Sequence, residues 1–340
     1  MNAAPLTAAL KQKAEELGFD LCGVAPAARP DTLDALTEWL DRGLHGEMGY
    51  LERRRDAYAH PDGVLPGVKS VVMLAASYHT PDPPEALAPP PGFGKVARYA
   101  RGGVDYHDLL RKRMKPLAAL LHEQCPGGRT RTVVDTAPLL ERDFARRAGL
   151  GWFGKNTLLL NKRAGSYLLL SAILTDAVLE YDPPHESSHC GTCTACLDAC
   201  PTDAFVGPHV LDARRCIAYL TIESKEPIPD DLKEGCGDWL FGCDICQEVC
   251  PWNRKPQRTN DRAFAPRPDL APANAAAIAA MSDEELRAAF KGTPLERPGP
   301  DGLRRNAENV LRNAGVNVSR ATPERTPDWE TGESNGAGVN

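Results

Sequence analysis

No long apolar run occurs anywhere in the 340 residues. The longest, Val71 to Ala76 and Tyr167 to Leu174, fall far short of the ~18 residues a bilayer-spanning helix needs, which speaks against a membrane protein. The first 20 residues carry Lys11, Lys13, Glu15, Glu16 and Asp20 and hold no apolar secretion-signal core, so a soluble, cytoplasmic chain is expected. An excess of positive charge is also missing. Lys plus Arg number 40 against 46 Asp plus Glu, a net charge of −6, and the pI is near 5.8. That argues against indiscriminate coating of nucleic acid but leaves room for a local basic groove. There is no G-x4-G-K-[ST], and a G-x-G-x-x-G spacing at Gly149 to Gly154 follows a polar, helix-like run instead of a strand. Neither a P-loop nor a dinucleotide fold is signalled, and Gly149 reads as a helix C-cap. What remains is globular: 42% apolar and 25% charged residues exclude disorder throughout. The length allows two or three domains, and 29 glycines with 30 prolines predict many loops.

Cysteine is abundant and unevenly placed. Of eleven, nine fall between Cys190 and Cys250. The odd total and the missing signal peptide weigh against a secreted disulfide framework. Cys190-x2-Cys193-x2-Cys196-x3-Cys200-Pro201 is the bacterial ferredoxin run. Its first three thiolates can wrap one 4Fe–4S cubane, while the fourth ligates the other cluster of a two-cluster module. A second run, Cys243-x2-Cys246-x3-Cys250-Pro251, is present but has Leu240 where its first cysteine would fall. The crosswise rule gives Cys190, Cys193, Cys196 and Cys250 to cluster one. Cluster two takes Cys200, Cys243, Cys246 and either Cys216 or Cys236. Zinc sites do not call for two such proline-terminated runs. Two cubanes form an electron wire, so a redox terminus must lie elsewhere in the chain.

Along the chain, Leu6 to Leu17 predicts a helix closed by Gly18, and Leu33 to Leu40 a second stopped at Gly43. Leu21 to Val24 reads as a short strand and Lys69 to Tyr78 as a buried central one. Thr80 to Gly94, with six prolines, must be loop. Val104 to Gln124 is helical by pattern, and Thr130 to Asp135 is a strand ending in an acid. Pro138 to Ala148 reads as a helix with Pro in its first turn. Thr157 to Leu160 and Ser166 to Leu174 look like paired strands turning at 161–165. The expected architecture is α+β: an α/β domain over 1–182, a ferredoxin-like two-cluster module over 183–255, a helical segment over 256–318 and a disordered tail over 319–340.

Several segments together resemble the epoxyqueuosine reductases, cobalamin-dependent iron–sulfur enzymes that complete queuosine in tRNA. They include His45-Gly46-Glu47-Met48, Ala97-Arg98-Tyr99-Ala100, Asp105-Tyr106-His107, Val134-Asp135-Thr136-Ala137-Pro138-Leu139-Leu140-Glu141-Arg142, Gly149-Leu150-Gly151-Trp152-Phe153-Gly154-Lys155-Asn156, Ala213-Arg214-Arg215-Cys216 and Gly242-Cys243-Asp244-Ile245-Cys246. The resemblance covers about residues 5 to 318. It implies that Cys216 is the fourth ligand of cluster two, and that Cys236, like Cys22 and Cys125, is an ordinary thiol. It further implies a cobalamin between the N-terminal domain and the cluster module, as in reductive dehalogenases. Low-potential clusters fit the demand of reducing cobalt to its nucleophilic state.

By the same resemblance Asp135 is the proton donor to the epoxide oxygen; beside an apolar corrin face its carboxyl would have a raised pKa. Arg53 resembles a corrin-binding arginine, whereas Arg54 and Arg55 read as a solvated basic face. Lys155, Asn156, Thr157 and Leu159 are implied to line the corrin, with Cys243 and Asp244 between it and cluster two. No D-x-H-x-x-G motif is present, which agrees with a cobalt lacking a protein histidine; His107 reads as structural. Seven Lys or Arg between Lys95 and Lys115 face only Asp105 and Asp108, a stripe that could follow tRNA phosphates. Arg254, Lys255, Arg258, Arg304, Arg305 and Arg312 add to it. The expected partners are epoxyqueuosine tRNA and a flavodoxin or ferredoxin-type donor, with the enzyme a monomer. A small-molecule dehalogenase would call for an export signal and no basic surface. A bare electron-transfer protein would need no cleft with an acid in it.

Overall fold

The structure, a computed structural model, describes residues 3–83 and 89–316. The expected disordered tail lies outside the described residues. Its largest sheet is built from β1 (Leu21–Pro26), β2 (Ser70–Ser77), β4 (Thr130–Val133) and β7 (Leu168–Thr175), in the order β1-β2-β7-β4 with every neighbour antiparallel. All eight residues of β2 are buried, which explains why it reads as one apolar run instead of alternating. Val71, Met73 and Ala75 point to one face, where they meet Val133, Phe144, Ala145, Leu150 and Leu159. Val72, Leu74 and Ala76 point to the other and meet the helices Ala3–Glu16 and Tyr106–Gln124 through Leu6, Leu10, Leu110, Met114 and Leu117. Each such fully buried side chain contributes about 1.5–3 kcal/mol, so the sheet is a rigid slab clamped from both sides. Gly23 marks how tightly: a Cβ there would meet the Ala148 carbonyl oxygen at 2.1 Å.

Two local expectations change. The helix after β4 starts at Glu141 and not at Pro138, because turns at Thr136 and Leu139, closed on the carbonyls of Val134 and Ala137, use up the intervening chain. Leu159–Leu160 does not pair with β7. It is β6, antiparallel to β5 (Trp152–Phe153), and β7 lies in the central sheet; only an isolated bridge joins Asn161 to Gly165. Gly149 ends the helix Glu141–Arg147 with φ +78°, as its C-cap reading requires.

A second, small sheet joins distant parts of the chain. β3 (Phe93–Val96) runs parallel to β10 (Trp239–Phe241) and antiparallel to β11 (Ala273–Asn274). Around it, Val96, Ala100, Leu240 and Phe241 share one apolar core with the helices Ala275–Ala280, Asp283–Phe290 and Gly299–Asn313. The three stretches read from the sequence as successive units are thus interlocked through this sheet. A short hairpin, β8 (Phe205–Gly207) with β9 (Val210–Leu211), lies between the cysteine runs. The helices Ala195–Asp198 and Ile245–Glu248, each carrying the second cysteine of a C-x2-C pair, pack against one another.

Candidate active site

The eight run-related thiols fall into two mutually interacting groups. Burial raises the thiol pKa of Cys196, and Cys250, Cys190 and Cys193 raise it further; Cys250 is raised by burial and by Cys190 and Cys193. The second group centres on Cys246, raised by burial and then by Cys216, Asp244, Cys196 and Cys200, so the two groups adjoin where Cys196 approaches Cys246. Cys243 is raised by burial and by Cys216 and Cys246, and Cys216 by burial and by Cys200. Backbone N–H groups point at these sulfurs, among them Ala204 to Cys200 at 3.4 Å and those of Tyr219 and Ala218 to Cys216. Sulfurs that disfavour one another's ionisation are poor free thiols but good ligands, since bound iron supplies the opposing charge. Among the described residues no three or more His, Cys, Asp or Glu could hold one metal ion. In a cubane each thiolate has its own iron, so the four sulfurs need not converge on one ion. Cys236 is fully buried among Ile217, Leu232 and Trp239; burial pushes its thiol up to about 11, and of the cysteines only Cys216 contributes.

Cys216 also lines a cavity of about 910 Å³. Its walls include Met48, Tyr58, Tyr99, Tyr106, Ile222 and Phe241, a largely apolar and aromatic lining, with Asp135 on the same cavity. Asp135 follows β4 with φ +58°, a left-handed conformation uncommon for a non-glycine residue and concentrated at functional sites. Several contacts hold it there. Its N–H donates to Glu141 Oε1 at 2.8 Å, and the Tyr106 hydroxyl donates to its Oδ2 at 3.1 Å. Next to it the Thr136 carbonyl accepts from Arg54 at 2.8 Å. The carboxylate is 65% exposed because it faces the cavity, while protein surrounds the cavity on the other sides.

Sequence reasoning missed two groups here. His107 Nε2 stands 3.6 Å from Asp135 Oδ2, and its Nδ1 lies 2.7 Å from Asp105 Oδ1. Burial opposes charge on the ring, but Asp105 and Asp135 outweigh it and raise the imidazolium to about 9. His107 in turn holds the Asp135 carboxyl below its ordinary range, against desolvation. The acid with a raised pKa is instead Glu141, pushed up to about 8 by burial and then by Asp135. Among protein groups alone, then, the expected upward shift falls on Glu141. The signals lay in Asp105-Tyr106-His107 and in the acid six residues after Asp135; spacing alone did not show that the two segments meet.

The residues implied to bind a corrin are dispersed. Arg53 is exposed and does not line the cavity, whereas Arg54, read as solvated, does; Arg55 pairs away with Glu52 and Asp41. Lys155 donates to the carbonyls of Gly191 and Cys193 at 2.8 and 2.9 Å, and buried Asn156 donates to that of Cys246 at 3.2 Å. Thr157, at φ +68°, is held through its carbonyl by Arg142 at 2.5 Å, and Leu159 lies in the sheet's core. None of these four lines the cavity. Asp244 is buried and accepts from the Arg98 N–H at 2.8 Å; burial raises its carboxyl to about 6.

The basic stripe is largely consumed inside the protein. Arg98 and Arg101 both engage Asp82, Lys95 pairs with Asp238 and Arg113 with Asp261, so of the seven cations only Lys112 and Lys115 are exposed without an ion pair among the described residues. Arg305 is bound to the carbonyls of Leu220, Ser224 and Glu226. Arg254, Lys255 and Arg258 stay exposed and unpaired among the described residues.

Known proteins match this arrangement over most of the chain. Residues 189–253 match a family profile described as a 4Fe-4S double cluster binding domain. Residues 59–136, ending one residue past Asp135, match one described as epoxyqueuosine reductase QueG, DUF1730. The epoxyqueuosine reductase of Cyclobacterium marinum is 41% identical over 309 residues, 91% of this chain and 97% of that one. The chain belongs to the epoxyqueuosine reductase family. Its relative from Pseudomonas aeruginosa is 43% identical over 314 residues, 92% of this chain and 87% of that one. Two solved epoxyqueuosine reductases share the fold. One, with a tRNA-Tyr epoxyqueuosine-modified stem loop, superposes with a TM-score of 0.84 at 33% identity, covering 91% of this chain and 82% of that one. The other, from Bacillus subtilis with its catalytic aspartate loop swung out of the active site, gives 0.82 at 32% identity, with the same coverage. Among the described residues no helix is long and apolar enough to cross a membrane.

Proposed function

We propose that this chain reduces epoxyqueuosine to queuosine at the wobble position of tRNA, with cobalamin in the Asp135 cavity and two 4Fe–4S clusters carrying electrons to it. The supporting observation is one cavity of about 910 Å³ that has both Asp135 and Cys216 on its lining. Its aromatic and aliphatic walls fit the face of a corrin, and its open mouth admits a modified base turned out of its stack. Bound there, cobalamin would supply a cobalt centre reducing enough to open the epoxide.

The chain's own residues do the rest. Asp135 is the acid that delivers a proton to the departing oxygen; Tyr106 and Glu141 hold it. Cys200, Cys216, Cys243 and Cys246 would carry the cluster nearer the cavity, and Cys190, Cys193, Cys196 and Cys250 the one further out. An external low-potential carrier of the flavodoxin or ferredoxin type loads the outer cluster. Lys112, Lys115, Arg254, Lys255 and Arg258 are the cations left free for phosphate contacts.

The test is anaerobic reconstitution with iron, sulfide and cobalamin, followed by single turnover on an epoxyqueuosine stem loop with a low-potential reductant. The expected result is about eight irons per chain, a bound-corrin spectrum and queuosine detected by nucleoside mass spectrometry. About four irons, or a protein that takes up no corrin, overturns the reading.

A further inference from the structure

Deoxygenating an epoxide has a fixed proton count. Both C–O bonds break, one C=C bond forms, and the oxygen leaves as water, which consumes two electrons and two protons. The electrons come from the low-potential carrier through the clusters. A single carboxyl can hold only one of the protons, so the site needs a second source for each turnover.

We propose that His107 is that source: its Nε2–H recharges the Asp135 carboxylate through Oδ2, and Asp105 fixes the ring for the transfer. This rests on the function proposed above and adds a role to a residue that reads as structural from the sequence. In the transfer the imidazolium N–H bond breaks and an O–H bond forms on Asp135, a step uphill for this pair that the far more basic departing oxygen draws forward by taking the proton on, and a neutral imidazole remains to be reprotonated from water. His107 acts through Asp135 and is therefore a positioning and relay residue.

The geometry restricts the ring to this task. Nδ1 is engaged by Asp105 Oδ1 at 2.7 Å, which leaves Nε2 as the nitrogen facing Asp135. The same Asp105 oxygen accepts the His107 backbone N–H at 2.8 Å as the N-cap of the helix Tyr106–Gln124, so the carboxylate is itself anchored. The imidazole stacks on the Tyr106 ring with centroids 4.0 Å apart, which resists its swinging away. The Nε2 to Oδ2 separation of 3.6 Å is slightly beyond hydrogen-bond range, as catalytic contacts often are before substrate closes the site. The charged groups around the pair are Asp105 and Arg111 on the histidine's helix, and Glu141 and Arg142 behind Asp135. Arg297, from across the cavity, also feels Asp135. The net effect keeps His107 protonated at neutral pH, with its loss of charge near 9.

The experiment follows the His107 ring by NMR in isotope-labelled protein, assigned by through-bond correlation to its own backbone, and pairs it with single-turnover rates on the stem loop across pH. The expected titration midpoint is well above the ordinary ~6.5, falling in D105N, which keeps the helix cap but removes the charge. H107Q should retain iron, corrin and stem-loop binding, lose roughly tenfold or more in rate, and lose the alkaline limb of the wild-type profile. A midpoint near ~6.5, or an H107Q profile superimposable on wild type, overturns the proposal. If the shifted midpoint is present but wild-type protein reduces no epoxide, the functional reading has failed and the proton relay has no reaction to serve. NMR on unmutated protein makes the first arm independent of whether a variant folds.

Discussion

The two groups of four cysteines share the same two runs, with Cys216 added to one of them from outside, yet their surroundings differ. Cys190 and Cys250 pack against Trp152 and Trp252, and the intervening loop is exposed at Gly191, Thr192 and Thr194. Cys216 and Cys243 pack instead beneath the apolar cluster of Ile217, Leu220 and Trp239, and Cys216 reaches the cavity wall. One quartet therefore faces outward and the other faces the site of chemistry. The proposed crossing of ligands between the runs would tie the two quartets together, so that neither loop could move without the other. Two adjacent residues reinforce this: Lys155 holds carbonyls of the outer loop and Asn156 a carbonyl of the inner one.

The largest expected effect breaks the comparison outright. Cys216→Ser should lower bound iron from about eight to about four per chain and abolish reduction, while Cys236→Ser leaves iron unchanged; iron and sulfide analysis with EPR reads both. Equal iron loss in the two variants would undo the assignment of Cys216. Next, Asp135→Asn should keep full iron and yet lose about 10²–10⁴-fold in turnover, separating the acid from the electron path. Unchanged turnover removes Asp135 from the mechanism.

A subtler pair sharpens the contrast between the loops. Lys155→Met removes two charge-assisted bonds worth about 1.5–3 kcal/mol each, and Asn156→Ala one neutral bond worth about 0.5–1.5. Iron release in air should thus accelerate more for Lys155→Met, with loss from the outer quartet first. Equal acceleration, or loss from the inner quartet, argues against separate anchoring. The smallest effect lies behind Asp135, away from the cysteines. Glu141 has a folded pKa of about 8, above its unfolded value of ~4.3. Between those values the folded state binds the extra proton, so this group's contribution to stability falls as pH rises through that window. Glu141→Gln keeps the acceptor for the Asp135 N–H and removes the charge. Its melting temperature should exceed that of wild type by about 1–3 °C at pH 8.5, by about half as much at pH 6, and differ little at about pH 4. The reverse order would show that the carboxylate is better stabilised than its burial implies.

What could be read from the sequence was local. β2 was visible because eight consecutive buried residues leave an unbroken apolar run, and both cysteine runs because cubane ligation dictates short spacings. Asp135 stood out by its motif. Features set by distant partners were not visible. The run of cations from Lys95 to Lys115 looks like a free surface until Asp82, Asp238 and Asp261, remote in sequence, are found paired with it. The choice between Arg53 and Arg54 depends on the rotation of a four-residue helix, Gly49–Glu52, which has too few turns for periodicity to fix its facing. His107 and Glu141 were each in view; that both meet Asp135 was not.

The small sheet has a consequence for how the molecule is made. β3 is synthesised early, but its pairing partners, Trp239–Phe241 and Ala273–Asn274, emerge from the ribosome only after well over a hundred further residues. The cavity wall contributed by Phe241 cannot be in place before then. Closure of the catalytic chamber is therefore a late event in translation, one that must wait while the nascent chain keeps its cysteines reduced and ready for loading.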